Sequence, residues 1–116
     1  MKFVNLTPHV ITIYNLYANK ITLPSSGVAR VETTEETLEP IEDIPIVSTP
    51  IPGPVVGLPE PSDGVAYIVS LMVLQHPAVR GRTDVYAPAT GPKHAAMRDE
   101  QGRIIGVTRL IAALRG

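Results

Sequence analysis

Proline sets the tightest limit on what this chain can become. Seven of its twelve prolines fall within residues 40–61. Each ring fixes φ and removes a backbone N–H. Residues 50–54 are therefore read as extended chain. Residues 44–48 read as a strand entered through Pro45, which places that strand at an edge or makes Pro45 its first residue.

The rest of the pattern is also rich in strands. Val10, Thr12 and Tyr14 alternate with Ile11 and Ile13, and a turn over residues 15–19 leads into a second short strand at 20–23, so a hairpin is expected. Residues 24–27, Pro-Ser-Ser-Gly, are a turn, and 28–32 resume a strand. The acidic stretch 32–43 reads as a solvated loop or an exposed strand edge. Residues 65–70 are the most apolar strand and are placed at the centre. Residues 71–79 read as a short helix capped by Ser70 and stopped near Pro77. A brief strand at 84–87, a rigid loop at 88–92, and strands at 95–98 and 103–109 follow. Gly102 suits the left-handed position of a bulged turn between the last two. Residues 110–115 are read as one helical turn.

These elements predict a single domain over residues 1–116, mainly β with an α+β character: a small antiparallel barrel or sandwich-like sheet with one short helix. No long amphipathic helix alternates with the strands, which argues against a parallel α/β sheet. With four Tyr, one Phe and no Trp, the core must come from Val, Ile, Leu and Ala, and the first two favour strands. The chain has no cysteine, so disulfides, thiolate metal sites and a cysteine nucleophile are excluded. The amino terminus lacks the pattern of a signal peptide and no stretch reaches the length of a membrane span, so a cytoplasmic location is expected.

Charge is divided along the chain. Residues 1–63 hold three bases and eight acids, whereas residues 64–116 hold seven bases and three acids, for a net charge of −1. Arg80, Arg82, Lys93, Arg98 and Arg109 lie close in sequence among glycines, and Arg forks and exposed backbone N–H groups suit an anion. Arg82, Asp84 and Tyr86 would share a face if the strand ran through all three. Asp84 would orient an Arg or a ribose hydroxyl, and Tyr86 or Tyr67 would pack on a base. The same residues read equally as solvated charges or ordinary ion pairs. The stretch 90–94 lacks the spacing of a nucleotide-triphosphate loop. His9, His76 and His94 carry no metal-ligand spacing, and no cofactor is expected. Net charge and scarce aromatics argue against a duplex nucleic-acid partner.

The segments Val4-Asn5-Leu6-Thr7-Pro8-His9, Val56-Gly57-Leu58-Pro59-Glu60-Pro61, Tyr67-Ile68-Val69-Ser70 and residues 98–106 occur in an order that resembles a group of short proteins from bacteriophages, prophages and their hosts. The resemblance covers most of the chain. It implies a phage-associated, cytoplasmic context and carries no catalytic residue across.

Three functions follow as expectations. The first is capture of an anionic, nucleotide-like small molecule by Arg80, Arg82, Asp84, Tyr86, Lys93, Arg98, Arg109 and Tyr67 in an oligomer, by analogy with phage proteins that sequester host immune signals. The second is a non-enzymatic structural or interaction protein whose proline-rich stretch forms an extended arm or edge pairing with another subunit, acid against base. The third is a nucleotide hydrolase recruiting Asp84, Tyr86 and His94.

Overall fold

The computed structural model describes residues 1–115. Its centre is a four-stranded sheet in the order β1 (Lys2–Asn5), β8 (Val65–Ile68), β9 (Val85–Pro88), β12 (Leu110–Ala112). β1 and β9 both run parallel to β8, and β12 closes the sheet antiparallel to β9. Mainly β is thus the architecture. Of the seven strand pairings among the described residues five are antiparallel, and the sheets do not close into a barrel. The expected mostly antiparallel character holds, and two parallel pairs sit at the centre of the main sheet. A four-residue helix, α1 (Leu71–Leu74), and a 3-10 turn (Pro77–Val79) suffice to carry the chain from β8 back to the start of β9. As the sequence suggests, Ser70 caps α1, its hydroxyl accepting from the Val73 N–H at 3.4 Å. Residues 110–115 do not form a helical turn, because Leu110, Ile111 and Ala112 pair with Pro88, Ala87 and Tyr86.

The continuous apolar run of β8 is explained by burial on both faces, as in parallel sheets generally. Tyr67 and Val69 turn toward one cluster with Val73, Leu74, Val79, Val85 and Ala87. Ile68 turns to the other, against Ile11, Ile13 and Val107 with Tyr86 beside them. That second layer comes from the hairpin β2 (Ile11–Tyr14) with β3 (Lys20–Leu23), and from β11 (Ile104–Gly106) packed on β2. β11 pairs with the two-residue β10 (Met97–Arg98) across a bulge, and Gly102 adopts φ of 80° as its turn requires.

The opening Asn5-Leu6-Thr7-Pro8-His9 segment is a structural clasp. The buried Asn5 amide donates to the carbonyls of His9 (2.8 Å) and Leu23 (2.9 Å), and its Oδ1 accepts from the Thr7 N–H (3.0 Å) and hydroxyl (2.7 Å). All four hydrogen-bonding sites of the amide are used, which ties β1 to the β2–β3 hairpin.

Residues 30–56 run out from this body, with Val31 and Val55 at their foot packed against its main core. β4 (Arg30–Thr34) pairs with β7 (Ile51–Val56), and further out β5 (Thr37–Ile41) pairs with β6 (Ile44–Val47). Together they make one long antiparallel ribbon. Of the two readings of the acidic stretch 32–43, a solvated loop or an exposed strand edge, the strand edge is the one found over most of it. The tip is a two-residue turn with φ of 52° at Glu42 and 63° at Asp43, the left-handed pair that matches strand twist in tight hairpins. The ribbon makes the molecule 57 × 39 × 25 Å with a radius of gyration of 17.1 Å, against about 13 Å for a compact chain of this length.

Candidate functional site

The predicted basic cluster does not gather. Arg82 is engaged by its own neighbour: Nε donates to Asp84 Oδ1 and Nη2 to Oδ2, both at 2.8 Å, and Nη2 also reaches the Pro59 carbonyl at 3.0 Å. The two side chains are only 19% and 14% exposed. The hydrogen bonds from Arg82, and its charge, hold the Asp84 carboxyl below the usual carboxylate range against the opposing effect of burial. The same bonds raise Arg82 further above its already high value. This fork is a clamp between the start of β9 and the segment after β7.

The other bases lie at the two ends of β9 and on β10. Arg80 is exposed at the end of the 3-10 turn, on the side where β9 begins. Arg109 lies at the opposite end, where its carbonyl accepts from the Ala89 N–H. Lys93 is at that same end, since the Thr108 hydroxyl donates to the carbonyl of His94. Arg98 is exposed on β10 and donates to the Gly102 carbonyl at 2.7 Å. Tyr86 is half-buried, and its hydroxyl donates to the Thr83 carbonyl. Tyr67 corrects the expectation of an aromatic open to a base: it is 5% exposed and belongs to the main core.

Among the described residues, three hollows bear on function. One of about 420 Å³ is lined by Arg82 and Asp84 with Ser62 and Asp63, so one predicted base faces two carboxylates there. A second, of about 330 Å³, lies between residues 9–12 and 104–107 and holds none of the predicted bases. The third, of about 370 Å³, is apolar. It opens between the foot of the ribbon (Val31, Pro50, Pro52) and α1 with its sequel (Leu71, Met72, His76).

The ribbon is the feature that the predicted site residues leave out. From Val31 to Val56 it holds six acids and no base. Only Glu32 has a cation within reach, Arg30 at 3.8 Å; Glu35, Glu36, Glu39, Glu42 and Asp43 have none among the described residues. Between those acids stand exposed Leu38, Ile41, Ile44, Val47 and Ile51, with Ile41 63% and Ile44 59% exposed. Leu38 pairs with Ile46 and Ile41 with Ile44, so these four side chains share one face of the ribbon.

Its base is pegged by His76. Nδ1 accepts from the Ala78 N–H at 3.0 Å, which leaves the proton on Nε2, and Nε2–H donates to the Gly53 carbonyl in β7 at 2.8 Å. Prolines 40, 45, 50, 52 and 54 recur along the ribbon. Within paired strand a proline sits where its missing N–H would have faced away from the partner. The rim formed by β6 and β7 thus cannot accept a full further strand, whereas β4 carries no proline. The sequence signal for the arm was present in the alternating prolines and the uncompensated acids. What composition could not show was that residues 30–34 and 51–56 pair with each other.

No family model, no curated protein and no solved structure matches the chain.

Proposed function

We infer that this is a non-enzymatic assembly protein, a body that carries an arm with which it grips another subunit. The observation that carries this reading is the uncovered surface. The chain exposes 8104 Å², whereas a compact monomer of this mass exposes about 6,200 Å². The excess of about 1,900 Å² is more than the roughly 800 Å² that one partner contributes to a standard interface. It is concentrated in a ribbon that is apolar on one face, acidic from residue 32 to its tip at residue 43, and too thin to bury itself. Two-stranded ribbons of this kind are marginal alone and depend on packing against something else.

Capture of an anionic small molecule has less support, because none of the hollows described holds more than one of the predicted bases. The resemblance to short phage proteins agrees with an assembly role and adds no chemistry to it.

Light scattering at low salt tests the reading. The full chain should have a mass that is a multiple of one subunit. That mass should fall in about 0.5 M salt, where the Debye length shrinks to about 4 Å. The double variant Ile41→Ser/Ile44→Ser should run as a single subunit that still folds, since both side chains are more than half exposed and lie outside the core. A single-subunit mass for the native chain from micromolar to millimolar concentration would refute it.

A further inference from the structure

Resting on that assembly reading, we propose that the occupant of the apolar hollow beside α1 is the arm tip of a second copy of this chain, exchanged reciprocally about a two-fold axis.

The hollow is built as a seat. α1 reads Leu-Met-Val-Leu, with no polar residue on any side. Val73 and Leu74 are buried in the body, yet Leu71 and Met72 are 45% and 64% exposed into the hollow. A helix apolar all round is found where both sides are covered. Here one side is open. The opposite wall is Val31, Pro50 and Pro52 at the foot of the ribbon, so the opening is apolar on both flanks.

The same chain carries the complementary knob. Ile41 and Ile44 form the outermost pair of the ribbon, next to the turn. They cannot fill their own hollow. The extended stretch from Thr34 at the end of β4 to Ile41 at the end of β5 spans about 25 Å at about 3.3 Å per residue, which puts the tip a ribbon's length from its own foot. A two-fold axis solves this for both copies at once: two arms lie antiparallel, and each tip reaches the other's foot. Such an interface is isologous and closed, with no free seat left for a third copy.

Charge fits the same arrangement. Glu42 and Asp43 flank the knob without an intramolecular base. Arg80 follows Pro77 of the hollow by three residues, is exposed, and has no carboxylate partner among the described residues. Seating the tip brings two acids toward this guanidinium. Prolines along β6 and β7 keep a second arm from adding on that rim as an extra strand, and the seat takes the face of the tip.

The native absence of cysteine gives a clean test. Ile44→Cys and Met72→Cys are prepared separately in the full chain, mixed, and oxidised. A disulfide-linked dimer should form in the mixture and not with either variant alone. Tyr17→Cys, exposed on the β2–β3 turn, should fail to couple to Met72→Cys. In addition, Glu42→Arg and Arg80→Glu should each weaken the dimer about fivefold, as exposed charge pairs do, and the chain carrying both should recover native affinity. A multimeric protein in which 44 and 72 do not couple, or in which the charge exchange fails to restore affinity, overturns the seat while leaving assembly standing. A single-subunit mass at every concentration overturns both.

Discussion

Replacing Asp84 by Asn separates a structural fork from a ligand-gripping one. The native pair has two charge-assisted hydrogen bonds of 2.8 Å between side chains that are less than one-fifth exposed. Asn can accept only one of them, through its Oδ1, which leaves Arg82 with that weaker bond, its bond to the Pro59 carbonyl and a guanidinium that has lost its counter-charge. Hydrogen bonds to charged groups contribute about 1.5–3 kcal/mol each, and breaking one side of a buried pair costs about 3–5 kcal/mol. Partial exposure of both groups and the neutral amide that remains bring the expected loss to about 2–3 kcal/mol. At about 3–5 °C per kcal/mol for a domain of this size, the unfolding temperature at pH 7 should fall by about 6–15 °C.

The pH dependence has a definite sign. Asp84 has a lowered folded-state value, so its contribution is complete above the unfolded-state value near 4 and is lost as pH falls through the folded value below it. Arg82 has a raised value and stays charged throughout this range. The gap between native protein and Asp84→Asn should therefore be widest above pH 5 and narrow steadily below pH 4. Thermal unfolding followed by circular dichroism between pH 2.5 and 7 reads this directly. An unchanged unfolding temperature at pH 7, or a gap that does not narrow in acid, would show that the fork does not hold the fold and would return Arg82 and Asp84 to the list of ligand-binding groups.

Three further outcomes are expected. Gly57 has φ of 84°, and a Cβ there would lie 2.5 Å from the Val28 carbonyl oxygen, so Gly57→Ala should destabilise by about 2–4 kcal/mol in urea unfolding with an unchanged slope. His76→Ala removes the peg to Gly53 and the cap on Ala78; amide exchange should quicken across β7 by about tenfold, for roughly 1–1.5 kcal/mol lost, while β8 amides keep their protection. Asn5→Ala leaves the carbonyls of His9 and Leu23 and the Thr7 donors without their partner and should cost about 3 kcal/mol or more in chemical unfolding.

Local signals carried the secondary structure well where one principle dominated. Alternation at residues 11–14 and the length of 20–23 gave the first hairpin, Ser70 marked the helix start, and Gly102 marked the bulged turn. The apolar run at 65–68 was placed at the centre and is there. Tertiary partners decided the rest. Residues 110–112 become a strand because β9 offers an open edge, which no local propensity encodes. β9 meets β8 in parallel because α1 and one 3-10 turn are enough of a crossover, whereas β1 meets β8 only after the chain has travelled from residue 6 to residue 64. For the site, the charge division was visible, but the fate of each base was not. Arg82 was expected beside Asp84 and is there; that the pair is closed on itself and on Pro59 depends on the path of residues 57–61. Tyr67 was named for its aromatic ring, and its position on a strand covered on both faces put that ring inside.

The register of β1 on β8 also orders events in time. Lys2 pairs with Val65 and Asn5 with Ile68, so the central sheet cannot form until a loop of some sixty residues has closed. By contrast, β5 and β6 are joined by only two residues. Hairpins zip in about 1–10 μs, whereas sheets built from distant segments fold far more slowly. The ribbon is thus shaped early, and the meeting of the first strand with the eighth sets the pace at which the chain becomes native.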